Sequence, residues 1–476
     1  MLKRLTAILL ALGLAVGAAA CGDKKAGENE KIPTLTWYVP GDKQSDIASV
    51  MEKVNEITVP AIGAKLNLEF IDTSAYEQRM KMNMAAGAEY DLCFTGWINK
   101  YADAVKNGGL LEITELLDKT PELKKSLPQY AWDAATVNGK IYGVPNLQTF
   151  ALPEGIVVLK EVADKYDFDF SKVRYLEDIE PFLAMVKEGE PDKFPFRCNW
   201  GIGMFVSRQY ENISSDVVID RDGKNTEVYF GSDSEIYKKG METYKRWFEQ
   251  GYIRPDMAGL SDDTIDYKAG KYVVSCEGWK PGVESDVKND IGKEVISVVL
   301  NTPYMLKDGG VRTMISIGNN CKYPEKALKF IELINTDKEL YNLVGFGIEG
   351  KHYKLNEDGK VTYIENGGYT PKMQWKFGNQ FNALLLEGQE DDVWEKTMEL
   401  NDEAVKSPLM GFTLDTDPIR SEISQISAVE KNYTIWQYSE ELWAERARKL
   451  DQAGRQKVKE EIQRQVDEFL KNKQNK

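Results

Sequence analysis

An α/β fold, with parallel strands covered by helices and divided between two domains, is what this sequence predicts. Three observations predict it. Between Leu35 and Phe94 the strand and helix signals alternate in the order β-α-β-α-β, which sets successive strands side by side with helices on the faces of the sheet. The alternation returns after Gly155. The length, 476 residues, exceeds what one core ordinarily organises, so two domains are expected.

Residues 35–39 read as a strand closed by Pro40-Gly41. A helix follows, because Ile47, Val50, Met51, Val54 and Ile57 recur on one helical face. Lys65-Leu66-Asn67-Leu68-Glu69-Phe70 alternates with strict period two, as a half-buried strand does. Residues 76–86 are predicted helical, ending at Gly87, and Asp91-Leu92-Cys93-Phe94 is a short buried strand. Further on, residues 155–159 are a strand, and Leu176, Ile179, Phe182, Leu183 and Val186 form a helical stripe. A helix over 237–248 stops at Gly251; strands are predicted over 272–276 and 295–300. One helix is predicted over 323–343, with Leu328, Ile331 and Ile334 inward. The end is helical: Leu442, Trp443, Ala447 and Leu450 share a face, as do Val458, Ile462, Val466 and Phe469, and both stripes read as core packing. No internal repeat stands out.

The N-terminus carries Lys3 and Arg4, an apolar stretch over 5–16 and then Ala18-Ala19-Ala20-Cys21-Gly22. That is a charged region, a hydrophobic region and a small-residue cleavage site. The stretch is shorter than the roughly 20 apolar residues of a spanning helix. Cys21 at this place resembles a bacterial lipobox, with Ala18 where Leu is favoured. The resemblance implies residues 1–20 as signal peptide, diacylglycerol on Cys21, and 21–32 as lipidated N-terminus and polar tether, holding the body on the outer face of the cytoplasmic membrane. A plain secretory leader followed by an incidental cysteine is the alternative.

Hydrophobic residues make up 42% of the chain, enough for globular cores. The formal charge is −15, from 61 basic and 76 acidic residues, and becomes −17 once the leader with Lys3 and Arg4 is removed. Such a surface repels phosphate backbones and anionic lipid heads, so no nucleic-acid partner is expected. Cys93, Cys198, Cys276 and Cys321 are widely spaced and lack a Cys-x-x-Cys pair, so small buried hydrophobes are the expected reading, with one disulfide left open.

Most catalytic motifs fail their context. Gly345-Phe-Gly-Ile-Glu-Gly350 matches G-x-G-x-x-G, but a helix precedes it and a turn-rich segment follows, the reverse of a dinucleotide site. No Gly-Lys pair is followed by Ser or Thr, which removes a P-loop. The single histidine, His352, removes His-based triads and His-rich metal sites. Carboxylates are abundant enough to supply a glycosidase pair, but no strand-end pattern singles out two. No enzyme activity, metal or cofactor is expected.

Several segments carry a family likeness. Leu35-Thr-Trp-Tyr-Val-Pro-Gly-Asp-Lys43, Tyr90-Asp-Leu-Cys-Phe-Thr-Gly-Trp97, Gly108-Gly-Leu-Leu-Glu-Ile-Thr114, Asn138-Gly-Lys-Ile-Tyr-Gly-Val-Pro145 and Gly270-Lys-Tyr-Val-Val-Ser-Cys-Glu-Gly-Trp279 occur in an order and spacing that resemble the extracellular solute-binding proteins of carbohydrate ABC importers, the class that includes maltose-binding protein. The likeness spans about residues 33–345. Beyond it, Gly347-Ile-Glu-Gly-Lys-His-Tyr353, Trp375-Lys-Phe-Gly-Asn-Gln380 and Leu450-Asp-Gln-Ala-Gly454 resemble a Gram-positive lipoprotein subgroup with a distinct C-terminal domain of unknown function, a departure that argues against maltose as the ligand.

The resemblance implies a two-lobed periplasmic-binding-protein-like fold (type II), each lobe a mostly parallel sheet flanked by helices, with a hinge between. Lobe one would be 33–147 plus 304–345, and lobe two 148–303 plus 346–476. The hinge would include Asn146, Gln148, Thr302 and Pro303. Sugar needs aromatic faces for its C–H surfaces and paired donors and acceptors for its hydroxyls. The implied ligand residues are Asp42 and Lys43 in the loop after the first strand, Trp97 after a strand C-terminus, Glu277 and Trp279 on the opposite lobe, and Trp200 and Trp375 as further stacking candidates. Core packing is the competing reading for each tryptophan, and an ordinary exposed turn for Asp42 and Lys43. The implied partners are an oligosaccharide or other small solute, the ABC importer permease subunits and a lipid anchor, with a monomeric receptor. A non-sugar solute such as a peptide or polyamine, an exported glycosidase and a surface adhesin stay open at this point.

Overall fold

Along Thr34–Pro40 every second residue, Leu35, Trp37 and Val39, is fully buried, which is why this segment is a strand. Trp37 meets Phe330 and Phe377 edge-on, with ring centroids 5.5 and 5.8 Å away. The computed structural model describes residues 32–260 and 262–474. The expected leader, Cys21 and the tether up to residue 31 lie outside the described residues.

The first sheet has the spatial order Lys65–Ile71, Thr34–Pro40, Leu92–Gly96, Thr313–Ile317, Val144–Pro145. Its first three strands are parallel, joined through helices Ile47–Ile62 and Thr73–Ala85. Thr313–Ile317 is antiparallel to both its neighbours. The second sheet runs Val295–Val299, Glu154–Leu159, Tyr272–Gly278, Phe194–Arg197. Here only Tyr272–Gly278 and Phe194–Arg197 are parallel, and Glu154–Leu159 opposes both its neighbours. Both sheets are therefore mixed, where mostly parallel ones were expected. The reason is topological. Glu154–Leu159 and Thr313–Ile317 carry the chain away from a crossing between lobes, while the other strands beside them run toward it.

The two largest cores follow these sheets, one holding Leu35, Trp37, Leu92, Ile315, Phe330 and Ile331, the other Ile156, Val158, Phe182, Phe196, Trp247 and Val274. A third core was not foreseen. A three-stranded antiparallel sheet, Tyr210–Ser214, Val217–Asp220 and Val228–Phe230, turns Ile213, Val217, Ile219 and Val228 against Leu409, Phe412, Leu450, Val458, Ile462 and Val466. Helices Arg420–Glu430, Glu440–Gln452 and Arg455–Gln474 thereby close on the second lobe, where Trp436 also stacks on Phe248 at 5.0 Å.

Residues between 346 and 390 behave otherwise. Tyr353, Val361, Tyr369, Phe377 and Ala383 sit in the first lobe's core, not in the second's as the expected division had it. A second correction concerns the helix expected over 323–343. It is two helices, Pro324–Thr336 and Lys338–Phe346. Asp337 breaks the run because its carboxylate accepts the Leu340 N–H at 2.9 Å, an N-cap that starts the second helix afresh. The rejected glycine motif is where that helix ends: Gly347, at φ +84°, caps it. Cys93, Cys198, Cys276 and Cys321 are all free. No helix among the described residues is long and apolar enough to cross a membrane.

Candidate functional site

Three chain segments pass between the lobes. The first, residues 146–153, follows Val144–Pro145. Asn146 is fully buried; its N–H donates to the Thr313 carbonyl at 2.9 Å and its Nδ2 to the Trp375 carbonyl at 3.1 Å. Gln148 Nε2 donates to Thr313 Oγ1 at 2.6 Å. The second pass covers 300–312. Thr302 is exposed there, and the Pro303 carbonyl accepts the Val405 N–H at 3.1 Å. Val405 belongs to the third pass, whose Val405–Lys406 pairs parallel with Tyr304–Met305.

Two buried polar side chains join these passes, and neither was legible in the sequence. Asn401, on helix Val393–Glu403, accepts the Phe150 and Ala151 N–H groups at 2.7 and 3.2 Å and donates to the Gln148 carbonyl at 2.7 Å. Glu211 accepts from Tyr304 Oη at 3.0 Å, from the Lys307 N–H at 2.6 Å and from Ser407 Oγ. A buried polar group persists where its hydrogen bonds are complete, and each of these has several partners.

The ends of the strands point to these passes, and the aromatic candidates stand on them. Trp97 follows Leu92–Gly96; its N–H donates to the Arg312 carbonyl at 2.9 Å, yet 55% of its surface is exposed. Gly96 permits this turn: at φ +149° a Cβ there would lie 1.9 Å from the Arg312 carbonyl oxygen. Trp375 is half-buried, edge-on to Phe94 at 6.2 Å, and linked to the first pass through Asn146. On the other lobe, Trp200 is 40% exposed, and its Cη2 would lie 3.4 Å from a Cβ at Gly278, where Leu152 of the first pass lies at 3.7 Å. The Trp279 N–H donates to the Pro153 carbonyl at 2.8 Å, and its indole Nε1 to Ser297 Oγ at 3.0 Å. Its polar handle is thus used internally, and its half-buried side chain packs against the second lobe's core and against the cluster of Ala151, Leu400 and Ala404.

The polar candidates are held by their neighbours. Asp42 and Lys43 are exposed, in a loop whose Gly41 N–H donates to the Ile71 carbonyl at 2.8 Å. Gln44 folds back on it, with Nε2 donating to the Asp42 carbonyl at 2.8 Å and Oε1 accepting the Thr370 N–H at 2.6 Å. Glu277 accepts from Tyr267 Oη at 3.1 Å, and burial pushes its carboxyl above the usual range. Arg197, at the end of the neighbouring strand, lies 4.1 Å over the Tyr267 ring and is paired twice with Asp263, at 2.6 and 2.8 Å. That bidentate pair fixes the wall behind Glu277.

His352 lines nothing. It is wholly buried, Nδ1 accepting the Ile348 N–H at 2.8 Å while Nε2 faces Asp46 at 2.9 Å. Lys351, Ser49 and His352 together hold the Asp46 carboxyl well below the usual range. Trp97 and Trp375 on the first lobe and Trp200 and Trp279 on the second thus stand beside the passes that join the lobes, while Asp42 and Lys43 lie on an exposed loop of the first lobe and Glu277 on the strand that leads to Trp279. Exposed aromatic rings with a few fixed polar groups suit a ligand that has both apolar faces and hydroxyls.

The profile of the bacterial extracellular solute-binding protein family matches residues 61–340, and that of a domain of unknown function (DUF3502) matches residues 408–471. A carbohydrate ABC transporter substrate-binding protein of Streptococcus pneumoniae serotype 4 (strain ATCC BAA-334 / TIGR4) is 30% identical, over 97% of each chain. The polygalacturonan/rhamnogalacturonan-binding protein YtcQ of Bacillus subtilis (strain 168) is 22% identical, over 75% of this chain and 76% of its own. Among solved structures, the N-glycan transport solute binding protein NgtS of Streptococcus pneumoniae superposes with a TM-score of 0.83 at 28% identity, covering 93% of this chain and 100% of that one. Against the same protein in complex with Man1GlcNAc and Man5GlcNAc the TM-scores are 0.74 and 0.71, with 92% and 93% of this chain and 100% and 99% of that one covered.

Proposed function

Because this chain belongs to the bacterial extracellular solute-binding protein family, we propose that it is the receptor of a carbohydrate ABC importer, taking an oligosaccharide between its lobes and delivering it to the permease. The observation that carries this reading is the placing of exposed tryptophans from both lobes, Trp97 and Trp200, beside the segments that connect the lobes. A ligand held by both lobes favours the closed arrangement over the open one, and that difference is what a permease can read. The similarity scores support a hinge. The TM-scores to this one neighbour spread from 0.83 to 0.74 and 0.71, the lower two being its complexes with Man1GlcNAc and Man5GlcNAc, as expected of lobes that change their relative placement.

The family binds solutes and does not transform them. In this reading Trp97, Trp200, Trp279 and Trp375 offer ring faces, while Asp42, Lys43 and Glu277 bond hydroxyls. Asn146, Gln148, Thr302 and Pro303 take part in the hinge. Cys21 carries the lipid that keeps the receptor outside the cell beside its permease. Conversion of Cys21 to Ala should release the protein into the medium, and fractionation of cells expressing it checks this.

The experiment that tests the function is calorimetric titration and thermal unfolding of residues 32–476 against mannose-containing N-glycans, rhamnogalacturonan and galacturonan oligomers, maltodextrins, peptides and polyamines. A ligand at a hundredfold excess over Kd stabilises the folded state by about 2.7 kcal/mol. A shift with one glycan class, with the glycan recovered intact, is the expected result. A shift with peptides or polyamines alone overturns the sugar reading, and consumption of the glycan overturns the receptor reading.

A further inference from the structure

Lys376 is almost wholly buried, with 1% of its surface exposed. Its ammonium donates to the Pro40 carbonyl at 3.1 Å and to the Pro371 carbonyl at 3.2 Å, between the rings of Phe70 and Phe377, each 5.1 Å from Nζ. Pro40 ends the first strand, immediately before the loop that carries Asp42 and Lys43. Pro371 begins the turn that carries Trp375. One ammonium therefore bonds to two carbonyls, one 336 and the other 5 residues before it in the chain.

Both segments are shaped around it. Gly41, at φ +146°, would bring a Cβ to 3.0 Å from Nζ, so a side chain there would crowd the ammonium. In the turn, Lys372 and Met373 both take left-handed backbone, at φ +49° and +53°. Non-glycine residues rarely do so, and such strain persists only where surrounding contacts over-determine it. The turn is pinned further along: the Gln374 carbonyl accepts from Tyr341 Oη at 2.7 Å, and the Trp375 carbonyl from Asn146 at the first pass. A methionine or leucine would fill this space without the cost of burying a charge, so packing alone does not explain a lysine here.

We propose that Lys376 is a positioning residue for ligand binding, its charged ammonium tying the Gly41–Lys43 loop to the 371–376 turn so that Asp42, Lys43 and Trp375 form one preset wall. This rests on the oligosaccharide-receptor reading. The charged group acting on the ammonium is Asp42, from the loop itself; the second strand contributes only the Phe70 ring. Burial pulls the ammonium down to about 8, with Asp42 opposing. The tie therefore weakens as pH rises past that value, because a neutral amine is a poorer donor. The sign for stability is opposite. Between about 8 and the ordinary lysine value the unfolded chain binds more protons, so this group's contribution to stability rises with pH.

Glycan affinity and melting temperature measured from pH 6.5 to 9.5 test this, on the unaltered protein and on Lys376→Met and Lys376→Arg. Lys376→Met should bind about tenfold more weakly at neutral pH, since two charge-assisted hydrogen bonds are lost. Its affinity should then be flat across the range in which the unaltered protein loses affinity, while Lys376→Arg, which keeps its charge, should also show no alkaline loss. Equal affinity of Lys376→Met and the parent, or parallel pH profiles, overturns the proposal. If Lys376→Met fails to fold, the unaltered protein decides alone: affinity that does not fall toward pH 9.5 overturns it. If the unaltered protein binds no glycan, the receptor reading fails instead, and amide exchange decides for the lysine. Exchange over 41–44 and 370–376 that does not quicken with alkaline pH, beyond the intrinsic rate, overturns the tie.

Discussion

In the oligosaccharide-receptor reading, Trp97 is the residue expected to contribute most to binding. Its backbone is fixed by Arg312 and its ring is more than half exposed, so it stabilises the fold little for its size. Trp97→Ala should weaken glycan binding by about 2 kcal/mol, some thirtyfold, the scale of an aromatic anchor. It should leave unfolding free energy within about 0.5 kcal/mol of the parent. Calorimetric titration with urea unfolding checks both; lost stability with unchanged affinity would return Trp97 to the core. Glu277 separates the two roles by pH. Burial raises its carboxyl, so above that raised value an ionised Glu277 costs stability that the protonated group does not. Glu277→Gln should raise the melting temperature by about 1–2 °C at pH 7 and change it little at pH 4, where both side chains are neutral. Affinity at pH 7 should fall if the carboxylate accepts sugar hydroxyls. Scanning calorimetry and titration at both pH values check this. The places of Trp97 and Trp279 just past strand ends could be read beforehand from local motifs, whereas Glu277 lies inside the strand Tyr272–Gly278. Lys376 and Glu211 could not, since their partners lie far away in sequence and no local pattern announces such contacts.

At the scale of elements, the helix Val393–Glu403 acts as a clasp on the first pass. Asn401 satisfies three backbone groups that no strand partner can reach. Asn401→Ala leaves two buried N–H donors and one part-buried carbonyl without their partner, and should cost about 3 kcal/mol. Urea unfolding measures it, and a loss under 1 kcal/mol would mean that water replaces the amide. Periodicity suffices for some elements and fails for others. Thr34–Pro40 and Lys65–Ile71 follow directly from alternation, and Ile47–Ile62 from its apolar face. Tyr210–Phe230 did not emerge, because Tyr-Glu-Asn-Ile-Ser is mostly polar and the strands bury their apolar face against helices some 200 residues on. The Asp337 break was legible in principle, as an N-cap residue before Leu340, but the apolar period of Leu328, Ile331 and Ile334 runs smoothly into it. The division between lobes failed for 346–390 for a related reason: Tyr353, Tyr369 and Phe377 are ordinary apolar residues, and only their contacts say which core they join.

For the whole molecule, the question is what moves. The C-terminal helices share a core with the sheet Tyr210–Phe230, so they should travel with the second lobe. Residues 346–390 share the first lobe's core and should travel with it. The third pass, around Val405, should therefore bend with the other two. Lys106 of the first lobe reaches Asp415 at 2.9 Å and also pairs with Asp417, both in the C-terminal segment, but all three side chains are about half exposed. Such pairs contribute about 0–1 kcal/mol, too little to hold the lobes against a ligand that bridges them. Small-angle scattering should thus show a contraction at saturating glycan that 0.5 M salt leaves unchanged. Trp200→Ala should separate binding from closure. Glycan would still rest on Trp97 and the 41–43 loop, but with less difference in affinity between the two arrangements, and a ligand shifts a conformational balance only by that difference. At saturation this variant should contract less than the parent, whereas Trp97→Ala should need more glycan to reach a given contraction. Equal contraction of Trp200→Ala and the parent at saturation would mean that the second lobe closes on the ligand through Trp279 and Glu277 without Trp200.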